Sequence, residues 1–68
     1  MEITLRDARV LRRKTQVDMA KVVDKSVDTY RKMEENPDTI TIGDAKLLAN
    51  ELHFPIDCIF FGRELYKM

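Results

Sequence analysis

The sequence predicts an all-α fold, a compact bundle of five short helices, from three observations. One local device recurs at Thr4-Leu5-Arg6-Asp7, Thr15-Gln16-Val17-Asp18 and Thr41-Ile42-Gly43-Asp44. In each, a threonine hydroxyl can accept from the backbone N–H three residues on, and a carboxylate can reach back to the threonine N–H, which is how a helix satisfies its first orphan donors. Between these starts, apolar residues recur three and four positions apart, the spacing of one helix face. Strand-like alternation is confined to Thr39-Ile40-Thr41-Ile42, too short to build a sheet and better read as a loop leading into a helix.

The elements follow in order. The first helix, about Leu5 to Arg13, places Leu5, Ala8 and Leu11 on one side, with Val10 beside them, and its arginines on the other. The second, about Gln16 to Val23, offers Met19, Ala20, Val22 and Val23. Ser26 is a fourth N-cap candidate, and Asp28 in the turn after it suits the positive end of a helix dipole. The third helix, about Val27 to Glu35, brings Val27, Tyr30 and Met33 to one side. The fourth, about Ile42 to Leu52, offers Ala45, Leu48, Ala49 and Leu52; Pro55 opens a mostly apolar fifth, about Ile56 to Phe61, which Gly62 closes. Residues 1–62 read as one domain and residues 63–68 as a short tail.

Sixty-eight residues leave a marginal core unless the helices pack tightly or the chain associates with itself. A single cysteine, Cys58, excludes an internal disulfide, and with His53 as the sole histidine the expectation is a reducing interior with no metal and no cofactor. Cys58 sits in an apolar run and reads as a small core residue, while His53 follows a helix end and reads as a carbonyl cap. The amino end, MEITLRDARVLRRK, has no continuous apolar run, so neither a signal peptide nor a membrane span is expected and the location is cytoplasmic. No nucleophile–base set and no glycine-rich phosphate loop is present, which argues against an enzyme and against a small-molecule substrate. Net charge is zero, but its distribution is not even. Residues 1–34 carry nine basic and six acidic side chains, and residues 35–68 carry three basic and six acidic. Such a chain can turn one face to a polyanion and keep the other away.

The stretch TQVDMAKVVDKSVDTYRKME, residues 15–34, joins two short helices by three or four residues. Helices this short make a poor antiparallel hairpin but can cross steeply. With Gln16 opening the first, Met19-Ala20 within it, Val23 before the break, Ser26 capping the second, and Tyr30, Met33 and Glu34 along it, the stretch resembles the helix-turn-helix of the lambda-repressor/Cro-like (XRE) family. Arg9, the run Leu47-Leu48-Ala49-Asn50-Glu51-Leu52 and the closing Ile56-Asp57-Cys58-Ile59-Phe60-Phe61 extend the resemblance from about Thr4 to Gly62. Two residues depart from it. Asp24 stands where the family turn prefers glycine, and Lys25 stands at a usually apolar position, so its stem is expected to be half buried with the amine turned outward. The loop Glu35-Asn36-Pro37-Asp38 is acidic where many relatives are basic.

The resemblance implies a lambda-repressor-like fold and a partner, double-stranded DNA, with the third helix in the major groove. The base-reading residues would be Val27, Asp28, Arg31 and Lys32: Arg31 or Lys32 on guanine O6 and N7, Val27 on a thymine methyl, Asp28 on cytosine N4. Phosphate contacts would come from Gln16, Lys14, Ser26 and Thr29. Arg9 and Glu34 would form a partly buried pair linking the first helix to the third, Ala20 would sit where the second and third helices cross, and Tyr30 would be core. Ile59, Phe60, Phe61, Leu65 and Tyr66 offer more apolar surface than a short last helix needs, which suggests a homodimer, at least on DNA. The function expected from the resemblance is a Cro/CI-like repressor that occupies a palindromic operator in the cytoplasm, associated with the nucleoid. The alternative is a protein-interaction module on the same fold, such as an antirepressor or a regulatory partner.

Overall fold

Threonine and serine caps start all four α-helices. In the computed structural model, which describes residues 2–61, α1 (Leu5–Leu11), α2 (Gln16–Val22) and α3 (Val27–Glu35) are followed by a 3₁₀ turn (Pro37–Thr39), α4 (Ile42–Leu52) and a closing π-helical turn (Asp57–Phe61). Thr4, Thr15 and Thr41 accept from the N–H of Asp7, Asp18 and Asp44 at 3.0, 3.0 and 3.2 Å. Among the described residues the full reciprocal box forms only at Thr15, where the Asp18 carboxylate accepts from the Thr15 N–H at 2.9 Å. At α4 the Asp44 carboxylate instead lies 3.7 Å from the Lys25 ammonium, so a tertiary partner has taken the side chain from the local one. The Thr15 donors hold the Asp18 carboxyl below its ordinary value.

Two element ends differ from expectation. α1 stops at Leu11 rather than Arg13, because Arg13 adopts φ 59° and a left-handed residue cannot continue the helix. The last helix is a π-helical turn beginning at Asp57, and the loop before α4 carries a 3₁₀ turn. Asp24 and His53 are also left-handed, at φ 57° and 58°. Asp24 thus adopts the backbone that the turn requires without glycine.

The core is one cluster of Leu5, Ala8, Met19, Ala20, Val23, Tyr30, Met33, Leu48 and Leu52, with Ile3, Val22, Val27, Ile40, Phe54, Ile59 and Phe60 packed at its edge. α2 packs chiefly on α3, and Ala20 of α2 is buried in the core. Full burial of each leucine stabilises the fold by about 1.5–3 kcal/mol, so these few side chains decide whether it forms. Ile59 and Phe60 are half-buried against this core, so part of the apolar carboxyl end serves the domain itself. The Phe61 side chain, Gly62, Leu65, Tyr66 and the tail 63–68 lie outside the described residues. The Ile3 N–H donates to the Cys58 carbonyl at 2.9 Å and ties the start of the domain to its last turn.

One long-range contact fixes α4. Arg12, just past α1, donates from Nε to the Leu52 carbonyl at 2.8 Å and from Nη2 to the His53 carbonyl at 3.3 Å, with its guanidinium 4.5 Å above the centre of the Phe54 ring. The unsatisfied carbonyls at the end of α4 are therefore capped from the other end of the sequence.

Candidate nucleic-acid interface

α3 has a buried face and an outward stripe. Tyr30 and Met33 are buried, and Val27 is half-buried. The exposed positions Asp28, Arg31, Lys32 and Glu35 follow the i, i+3, i+4, i+7 spacing of a single helix face. Within it the Arg31 Nη1 donates to Asp28 Oδ1 at 3.0 Å, with the side chains 53% and 77% exposed. Lys32 makes no ion pair among the described residues. The Ser26 hydroxyl accepts from the Thr29 N–H at 3.2 Å and donates to the Thr29 hydroxyl at 3.0 Å, which sets the first turn of α3.

Behind the stripe a polar network joins α1, α2 and α3. The Glu34 carboxylate accepts from Arg9 Nε at 2.6 Å, from Arg9 Nη2 at 3.4 Å and from Gln16 Nε2 at 3.2 Å, while Arg9 Nη1 donates to the Lys14 carbonyl at 2.9 Å. The pair is nearly dry, with side-chain exposures of 12% and 4%. Burial pushes the Glu34 pKa up, but Arg9, Tyr30 and Gln16 outweigh it and hold the carboxyl below its ordinary value. The same bond to Glu34 raises the Arg9 pKa. The Tyr30 hydroxyl lies close to this carboxylate and is a buried polar atom without a hydrogen-bond partner among the described residues. Its burial, then Glu34, moves its pKa well above the usual tyrosine value.

A short helix, a tight left-handed turn at Asp24, and a second helix with one buried and one fully solvated face match a family model described as Helix-turn-helix, over residues 5–57. The chain belongs to the lambda-repressor-like (XRE) helix-turn-helix family. The match covers every α-helix and reaches the first residue of the closing turn. No curated protein and no solved structure matches the chain. The family's members are DNA-binding regulators of transcription and generally not enzymes, and DNA-binding regulation is the type of function this helix-turn-helix domain supports. Among the described residues no helix is long and apolar enough to cross a membrane.

Within the helix-turn-helix, the expected site residues fall into three groups. Asp28, Arg31 and Lys32 share the outward stripe, beside Thr29 and Ser26 at its start. Val27 does not stand fully outward: it is half-buried and packs at the edge of the core. Gln16 and Lys14 are already engaged. Gln16 is held by Glu34, and the Lys14 ammonium lies 3.4 Å from Glu51. Lys25 is exposed, with its side chain 39% accessible, and its amine lies 3.7 Å from the Asp44 carboxylate instead of being turned away into solvent.

The roles of Arg12 and of Gln16 toward Glu34 have no local signal. Arg12 reaches residues 40 and 41 positions away. Gln16 and Glu34 are 18 apart, and only the packing of α2 on α3 brings them together.

Proposed function

We propose that this chain is a sequence-specific regulator of transcription of the Cro/CI type, acting by occupying a palindromic operator as a homodimer in the cytoplasm, at the nucleoid. The observation that carries this reading is the solvated stripe Asp28, Arg31, Lys32 and Glu35 on a helix whose opposite face is buried in the core, so that α3 is anchored by packing and turns its polar side chains toward a major groove. Arg31 and Lys32 would donate to guanine, Asp28 would accept from cytosine N4, and Val27 would offer only its exposed edge to a thymine methyl. Ser26, Thr29, Lys14 and Gln16 would face phosphate, the last two after exchanging their present partners Glu51 and Glu34. Dimerisation would use what Ile59 and Phe60 leave exposed, with Phe61, Leu65 and Tyr66.

A second reading, a protein-interaction module, is favoured by one groove. It is lined by Glu2, Asp7 and Asp38 together with Ile3, Ile59 and Phe60, and no basic residue lines it among the described residues.

Selection from a random duplex pool at two salt concentrations, with Lys32→Ala beside the wild type, separates the two. An enriched palindrome whose binding weakens with salt, and whose preference relaxes in the variant, supports the operator reading. No enrichment, with both proteins equally weak, would transfer the function to the acidic groove.

A further inference from the structure

We infer that Asp28 is a specificity-determining residue that works by occupying Arg31 in the absence of the right base pair. The inference rests on the operator reading above and concerns how the same stripe discriminates.

The stripe of α3 holds two cations, Arg31 and Lys32, between two carboxylates, Asp28 and Glu35. It is therefore electrically neutral, although it is the surface that would approach a polyanion. The carboxylates are not spread evenly around the cations. Asp28 Oδ1 accepts from Arg31 Nη1 at 3.0 Å, and no other ion pair joins residues of this helix's stripe among the described residues. Both side chains are more than half exposed, so the pair is held weakly enough to open.

Opening it has different consequences at different ligands. A phosphate offers Arg31 an anion, but it leaves Asp28 beside the DNA backbone with no donor and a repulsive charge. A C·G pair offers guanine O6 and N7 to the Arg31 fork and cytosine N4–H to the Asp28 carboxylate, so both halves of the opened pair find partners. Asp28 thus penalises contacts that satisfy Arg31 alone. Discrimination by leaving a polar group unpaired in the wrong complex is an effective device because the penalty is confined to that complex. Lys32, which makes no ion pair here, supplies sequence-independent attraction, and Asp28 keeps Arg31 from adding to it.

The test compares wild type, Asp28→Asn and Arg31→Ala, with the double variant Asp28→Asn/Arg31→Ala, on the selected duplex and on a scrambled duplex, each at two salt concentrations. Asp28→Asn keeps the size of the side chain and is solvent-exposed, so folding is retained, checked by circular dichroism. The expected result is a three- to fivefold or greater gain on the scrambled duplex, with the salt dependence steepened by about one phosphate, and little or no gain on the selected one. In the Arg31→Ala background the same change should gain distinctly less, because the cation it frees is absent. Equal gains on both duplexes, or an undiminished gain in the Arg31→Ala background, would overturn the inference and leave Asp28 as a general repulsive charge. No enrichment of any sequence by wild type would overturn the operator reading, and the inference with it.

Discussion

Two arginine–carboxylate pairs, Arg9–Glu34 and Asp28–Arg31, have the same chemistry in opposite surroundings. The first is nearly dry, bidentate and reinforced by Gln16 and the Lys14 carbonyl. The second is a single contact between exposed side chains one helical turn apart. A charge pair sealed from water must stay closed, because opening it strands two ions in a poor solvent. A solvated pair opens readily and is free to exchange partners. The first therefore belongs to the frame that aims α3, and the second to the surface that reads.

The comparison breaks most visibly at Glu34. Glu34→Ala leaves the half-buried Arg9 without its partner and should cost about 3 kcal/mol, lowering Tm by at least about 12 °C. An unchanged melting curve would mean that the pair contributes nothing to stability and that the two pairs do not differ in kind. Removing the Arg12 side chain should have the next largest effect. Arg12→Ala uncaps α4 and loses the stacking on Phe54, for about 1–2 kcal/mol, read as a shifted urea midpoint. If the midpoint holds, water replaces the guanidinium at the Leu52 and His53 carbonyls.

Acid sharpens the contrast further. The folded-state pKa of Glu34 lies below its ordinary 4.5. Its stabilising contribution is therefore present above pH 4.5 and is lost as the pH falls through the lower folded value. Tm should decline across that acidic window and decline less steeply in Glu34→Gln; identical slopes would exclude Glu34 as the source. The smallest effect is expected at the exposed pair. Asp28→Ala should change stability by no more than about 0.5 kcal/mol, and a larger loss in thermal melting would show that this pair too is part of the frame.

The helix starts were legible in the sequence because their causes are local: a threonine or serine and the N–H three residues on suffice to begin a turn. The ends were less so. Nothing in Arg13 itself announces a left-handed residue, yet its φ of 59° ends the helical run. The partners of carboxylates were legible only where they lay nearby. Asp18 closes its box with Thr15, but Asp44 leaves Thr41 for Lys25, a choice made by packing. Arg9 and Glu34 could be paired only through family resemblance. Val27 stood at a register position compatible with either face, and tertiary packing placed it at the edge of the core.

Among the described residues, the three left-handed positions, Arg13, Asp24 and His53, are all exposed, and none is glycine. A side chain in that conformation costs roughly 1–2 kcal/mol, which a glycine would relieve while giving back part of the gain as freedom of the unfolded chain. Cellular proteases act on the fraction of molecules that is open. The lifetime of this protein in a cell, and hence its standing concentration, is therefore adjustable at three surface positions that belong neither to the core nor to the α3 stripe.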